Sequence, residues 1–312
     1  MVLSTSSYPP IGNVVRPTTV IEAPRLAHLL GVDIVICSET FQRTGSFKFR
    51  AAYNVATNVK NPMLISASSG NFGQAMAYAC SLVGKSCIIV MPTTSAQVKV
   101  DAVREFGGQV EFVDVTAMSR EDCVKDLAAA HPGAHVASAY DDAFVIEGNS
   151  SLGREIASLG YQFDDIVVPI GGGGLSSGII VGLEESRKKI SVIGAEPLLG
   201  NRTARSLAAG ELISLESEPQ TIADGARTSS LGQLNWEILR KGLKGIVEVP
   251  EEQIVKAVRL LYQFANLKAE PTGALSLAAV LTDPGRFKDR RVCCVVTGGN
   301  VDPEVYGRIL AG

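Results

Sequence analysis

Lys48 stands in the run RTGSFKFRAAYNVA, between Phe47 and Phe49 and close to Arg43 and Arg50. A lysine amine is a nucleophile or a base only when deprotonated, and desolvation together with neighbouring positive charge lowers its pKa. Apolar flanks and two guanidinium groups are such a setting. A single lysine is ordinarily a solvated side chain, so the weight falls on what accompanies it. Three glycine-rich turns do: Ser68–Asn71 (SSGN), Gly171–Gly178 (GGGGLSSG) and Thr297–Asn300 (TGGN).

In the second turn, four consecutive glycines follow an apolar run, DIVVPI, and precede a helical pattern that begins near Leu175. Without Cβ atoms the backbone N–H groups can approach an anion, and the helix N-terminus adds partial positive charge. A phosphate fits there; close packing or a flexible linker is the plainer alternative. Glu196 lies 22 residues after Gly174, where a ribose-binding acid would stand in a dinucleotide site. No register gives Gly-x-Gly-x-x-Gly, however, because the third position always falls on Ser, and no Walker-type Gly-Lys-Ser/Thr occurs. The phosphate therefore belongs to something smaller than a dinucleotide.

Strands alternating with helices must position these turns. The first series runs Pro62–Ser66 (strand), Phe72–Val83 (helix), Ser86–Met91 (strand), Ala96–Phe106 (helix), Val110–Val113 (strand), Arg120–Ala130 (helix) and Ala134–Ser138 (strand). The second runs Asp165–Ile170 (strand), Leu175–Lys188 (helix), Ser191–Ala195 (strand), Glu251–Asn266 (helix) and Val292–Thr297 (strand). Such alternation predicts an α/β protein with two open parallel-sheet domains. The expected division is 1–62 plus 144–312 for a large domain and 63–143 for a small one, the chain crossing twice. Each glycine-rich turn follows a strand, and loops at the carboxyl ends of parallel strands line the ligand crevice.

The net charge of −3 offers no basic field for nucleic acid or anionic membrane. The uncharged stretch Ile166–Leu183 is long enough to span a bilayer, but its glycine run argues against a lipid-facing helix, as the polar residues within Asn61–Gly84 do there. The start MVLSTSSYPP lacks the pattern of a secretory signal. The six cysteines have no metal-ligand spacing, and Cys293–Cys294 reads as buried strand. A cytoplasmic homodimer acting on a small molecule is expected. His131 and His135 have ligand-like spacing, but Pro132 and Gly133 break the helix it would need. Trp236 reads as core.

Taken together and in order, TGSFKFRAA, SSGNFGQA, GGGGLSSG, EPTGA and TGGN resemble the fold-type II pyridoxal-phosphate enzymes (tryptophan synthase beta-like fold), most closely the threonine/serine dehydratase and serine racemase family. The resemblance covers essentially the whole chain. Cysteine synthases are less similar, since their phosphate loop carries threonines among the glycines. No C-terminal regulatory domain is expected after TGGN.

The resemblance implies pyridoxal 5'-phosphate as cofactor, held by Lys48, which also serves as proton-transfer base. Phe47 would pack beside the ring and Asn71 would bond its 3′-oxygen. Gly171, Gly172, Gly173, Gly174 and Leu175 would cradle the phosphate, and Thr297 would meet the pyridine nitrogen. A neutral hydroxyl there makes the ring a shallower electron sink, which favours expulsion of a β-leaving group over transamination. Ser68, Ser69, Asn71 and Gly73 would grip the substrate carboxylate. Ser69 matches the serine that racemases use as acid/base on the second face.

The implied reaction is dehydration of a β-hydroxy-L-amino acid to a 2-oxo acid and ammonia. Serine racemisation, β-replacement and, remotely, NAD-dependent oxidoreduction are the alternatives. Phe72 stands where the family commonly has His, which points to a bulkier or aromatic β-substituent. Tyr140–Asp141 replaces a polar pair of the racemases. Relatives that bind a divalent cation use a Glu, a carbonyl and an Asp; here Glu196 and Gly200 match but Arg202 takes the Asp position. No metal is expected, and an Arg202–Glu196 ion pair is. Glu270 is left between a place behind the cofactor and a loop cap, and Asp224 between a helix cap and an ordered active-site loop.

Overall fold

The computed structural model describes residues 8–68, 70–95 and 97–312. Ten strands form its two sheets: β1 (Thr19–Glu22), β2 (Asp33–Ser38), β3 (Met63–Ala67), β4 (Ser86–Pro92), β5 (Gln109–Val113), β6 (Ala134–Val136), β7 (Asp165–Pro169), β8 (Ser191–Pro197), β9 (Leu243–Val249) and β10 (Arg291–Val296). The six-stranded sheet has the order β1-β2-β10-β7-β8-β9 and the four-stranded sheet the order β5-β4-β3-β6. All pairings are parallel except β1 with β2, an antiparallel edge on the larger sheet. Strands buried on both faces read as unbroken apolar runs, and the residues of β7 after Asp165 and the inner residues of β10 are such runs.

Helices cover both sheets. The expected helix Arg120–Ala130 has those bounds. The expected helix Leu175–Lys188 starts one residue earlier and stops at Glu185, because Arg187 turns to φ 54°. The Ala96 start of another lies outside the described residues, and that helix covers Gln97–Glu105. The strand expected over Ala134–Ser138 ends at Val136. Helix Ala143–Ser158 packs between helices Lys48–Asn58 and Gly174–Glu185. Backbones approach closely there: a Cβ on Gly148 would lie 2.6 Å from the Arg50 carbonyl oxygen, and one on Gly153 2.6 Å from that of Ile179.

Helix Pro271–Thr282 runs through the core of the larger sheet with Pro271 to Val280 all buried. Phe49, Ala52 and Val55 of the Lys48 helix instead join Phe72 and Met76 in the apolar core beside the smaller sheet. All six cysteines are buried free thiols. Helix Arg120–Ala130 ends at His131, so His131 and His135 stand on different elements.

Candidate active site

The segment after β2 runs against the TGGN turn after its neighbour β10. Glu39 N–H donates to the Val296 carbonyl (2.9 Å), Gly299 N–H to that of Gly45 (3.0 Å), and Phe47 N–H to that of Thr297 (3.0 Å). These bonds fix the start of helix Lys48–Asn58 at the carboxyl end of the larger sheet. Lys48 is half-buried. Its Nζ donates to the Ala139 carbonyl at 2.8 Å and lies 5.1 Å from the Phe47 ring centre and 5.6 Å from that of Phe72. Desolvation lowers its pKa to about 8, against an opposing pull from the Glu270 carboxylate.

Glu270 joins three distant loops. Its Oε1 accepts from Asn71 Nδ2 at 2.8 Å, while Asn71 Oδ1 accepts from Asn300 Nδ2 at 2.7 Å and Gln74 Nε2 at 3.3 Å. Burial pushes the Glu270 carboxyl up to about 8, with Asp224 adding repulsion and the Asn71 bond working the other way. The side chain reaches Asn71 and does not cap helix Pro271–Thr282. Asp224 likewise caps nothing; its Oδ2 meets Lys99 Nζ at 3.0 Å.

In the SSGN turn, Ser68 Oγ accepts from Gly70 N–H (3.4 Å) and Gly73 N–H (3.1 Å). Ser69 lies outside the described residues. Phe72 is 1% exposed, packed in the core with its ring under Lys48. Thr297 is buried beside Phe47, and Trp236 is core.

The tetraglycine loop turns its carbonyls into the protein. Gly171 O accepts from Arg202 Nη2 (2.5 Å), and Gly172 O from Gly232 N–H (3.0 Å) and Asn235 Nδ2 (3.0 Å). Gly173 O accepts from Ser177 N–H (2.9 Å), and Gly174 O from Asn149 Nδ2 (3.1 Å). Gly173 has φ 98°, a conformation that L side chains rarely adopt, and a Cβ on Gly172 would fall 2.2 Å from the Tyr140 ring. No side chain caps helix Gly174–Glu185, so its first N–H groups are left for an anion. A phosphate monoester suits this edge, and an aldehyde suits an amine of lowered pKa; the residues fit pyridoxal phosphate.

Asn235 holds the loop and the Tyr140 carbonyl (2.9 Å) together, and Asp141 caps helix Gln233–Gly242 by accepting from Gln233 N–H (2.9 Å) and Leu234 N–H (3.0 Å). The sequence reading did not single out Asn235, since an Asn in an amphipathic helix carries no signal of a partner so far away. Arg202 Nη1 lies 3.6 Å from Glu196 Oε2, both side chains fully buried. Among the described residues no cluster of three or more His, Cys, Asp or Glu could hold a metal ion.

A cavity of about 520 Å³ is lined by Thr94, Ser95, Lys99, Arg120, Glu218 and Arg227, among others. Its Lys99 pairs with Asp224, whose neighbour Gly225 packs against Gly171.

A profile described as "Pyridoxal-phosphate dependent enzyme" matches residues 11–298. The chain is 36% identical to the L-threo-3-hydroxyaspartate ammonia-lyase of Pseudomonas sp, over 90% of its own length and 89% of the relative's. It is 32% identical to the Saccharomyces cerevisiae protein of the same name, over 96% and 92%. The structure of maize serine racemase superposes with a TM-score of 0.90 at 31% identity, covering 96% of this chain and 93% of that one. Among the described residues no helix is long and apolar enough to cross a membrane. With the lysine, the uncapped glycine loop and these matches agreeing along nearly the whole chain, the protein belongs to the pyridoxal-phosphate dependent enzymes.

Proposed function

We propose that the chain is a β-hydroxy-amino-acid ammonia-lyase whose preferred substrate carries a second carboxylate, as 3-hydroxyaspartate does. The observation that carries the reaction is the Lys48 amine bonded to the Ala139 carbonyl, next to Tyr140, whose ring lies against Gly172 of a glycine loop whose carbonyls face into the protein. The second carboxylate is suggested by the named substrates of two relatives, and Arg120 and Arg227, which share one cavity with Lys99, Glu121 and Glu218, are the candidate partners for it.

The bound cofactor supplies the electron sink for charge developing at the substrate α-carbon. The protein does the rest. Gly171 to Leu175 would offer backbone N–H groups to the phosphate, Phe47 would pack beside the ring, and Asn71 and Thr297 would meet its phenolic oxygen and its nitrogen. Asn71 is held by Glu270 and Asn300, so its amide has one orientation. Ser68, Ser69, Asn71 and Gly73 would take the substrate α-carboxylate. Lys48 Nζ takes the α-proton, and Phe72 beneath it keeps water from the amine. The β-hydroxyl leaves as water, taking up the proton that Lys48 removed from the α-carbon, and the released enamine takes up water to give the 2-oxo acid and ammonia. The division at 62/63 and 143/144 and a homodimer belong to the same reading.

A panel of serine, threonine, 3-hydroxyaspartate and phenylserine, with 2-oxo acid measured, tests it. 3-Hydroxyaspartate should have the highest kcat/KM. Arg120→Ala should raise its KM about 10- to 100-fold, an effect expected for a lost charge-assisted bond, and leave serine nearly unchanged. Phenylserine as best substrate would instead support the apolar pocket inferred from Phe72.

Racemisation is a second reading, favoured by the likeness to maize serine racemase. If it occurs through Ser69, Ser69→Ala should abolish inversion and spare elimination from L-substrates. Chelators and added Mg²⁺ should leave activity and melting temperature unchanged, since a guanidinium stands between Glu196 and the Gly200 carbonyl. Activity lost to a chelator and restored by Mg²⁺ would contradict this.

A further inference from the structure

The tetraglycine loop has a cation of the chain's own behind it. Arg202 opens helix Arg202–Ala209 and is fully buried. A guanidinium keeps its charge at any relevant pH, and burying it costs several kcal/mol unless its donors are met. The nearest carboxylate does not meet them: Glu196 is 3.6 Å away and directs its two oxygens to the N–H groups of Thr203 (3.1 Å) and Ala204 (2.7 Å). Carbonyls meet its two Nη groups instead, and Nε is left without a partner among the described residues. Nη1 donates to Gly200 O (2.6 Å), and Nη2 to Ile170 O (3.2 Å) and Gly171 O (2.5 Å).

Two of those carbonyls belong to the strand end and first residue of the phosphate loop. In a trans peptide the N–H points opposite to the C=O. Drawing the carbonyls of Ile170 and Gly171 toward Arg202 therefore turns the N–H groups of Gly171 and Gly172 the other way. The positive charge also lies one peptide from the loop, in surroundings where charge is poorly screened. The planar fork suits this role better than an ammonium, which cannot direct donors in one plane to three separate carbonyls.

We propose that Arg202 is the positioning residue of the phosphate loop: it sets the direction of the loop's N–H groups and supplies a resident positive charge for the cofactor phosphate. The inference rests on the cofactor reading and is independent of the substrate.

The test compares full-length holoenzymes of the wild type, R202K and R202M/E196Q. The double variant leaves no buried charge unpaired, and its melting curve reports folding. Release of pyridoxal phosphate after dilution, followed by the visible absorbance, should be at least about tenfold faster in R202M/E196Q, as expected for lost charge-assisted bonds. R202K should fall between the two. The same proteins loaded with pyridoxal, which has no phosphate, should release it within about twofold of one another. Unchanged release of pyridoxal phosphate from the folded double variant would overturn the proposal. So would equal acceleration for pyridoxal and pyridoxal phosphate, which would make Arg202 a general tie of the fold. Should the double variant not fold, R202K decides alone by the same comparison. A wild type that never holds pyridoxal phosphate would strike at the cofactor reading itself.

Discussion

Lys48→Ala is expected to abolish measurable turnover while the protein still folds. Loss of a positioned base alone costs about 10²–10⁴-fold in rate, and Lys48 is also assigned the covalent hold on the cofactor. The fold should survive because the amine has few attachments: its hydrogen bond is to the Ala139 carbonyl, and it is half-buried in the crevice. Desolvation of the amine already works against its charge, so removing it relieves a cost as well as losing a bond. Wild-type-like circular dichroism and melting, with no 2-oxo acid formed, is the expected result. Residual turnover within about tenfold of wild type would remove Lys48 from the chemistry.

Arg50→Ala should destabilise the fold by about 3–5 kcal/mol, the usual cost of breaking a buried ion pair from one side. Arg50 sits two residues beyond Lys48 and is 1% exposed. Its Nε and Nη2 donate to the two oxygens of buried Glu39 (2.8 and 2.9 Å), Nη2 also to Glu155 (2.7 Å), and Nη1 to Ser151 Oγ (3.2 Å). Burial would lower the Arg50 pKa, yet the two carboxylates raise it on balance. This network ties the Lys48 helix to the end of β2 and to helix Ala143–Ser158. Arg50→Ala leaves Glu39 buried without its partner, whereas R50L/E39L removes both charges and should recover much of the loss. Urea denaturation measures both. A single variant within about 1 kcal/mol of wild type would show that the pair holds nothing in place.

The sequence was most legible where chemistry depends on residue type in a local run. The tetraglycine loop, its delivering strand β7 and the uncapped helix after it are contiguous, so glycine content and an apolar run announce them together. Strands β4, β7 and β10 are β-branched runs and were read from that. Helix Pro271–Thr282 was missed because it is covered on every side, so no face is polar and the 3.6-residue period vanishes. Edge strand β1 is short and only partly buried, which leaves no clean alternation to read. Long-range partners were least legible. Nothing near Asn71 announces Glu270, 199 positions away. Arg202 was read as the ion-pair partner of Glu196 and stands 3.6 Å from it, but its hydrogen bonds to three carbonyls, one just beyond β7 and one on the glycine loop, carried no local signal. Phe72 was read as a wall of the substrate pocket from its place in a motif; its ring joins the core and also lies 5.6 Å from Lys48 Nζ.

The most direct test of the account is where the cofactor is attached. Purified protein supplied with pyridoxal phosphate should be yellow. Borohydride reduction should bleach that colour, and digestion should then yield a single modified peptide, with the cofactor mass on Lys48 within TGSFKFR. A modified peptide carrying any other lysine, or a colourless protein that takes up no cofactor, would contradict it.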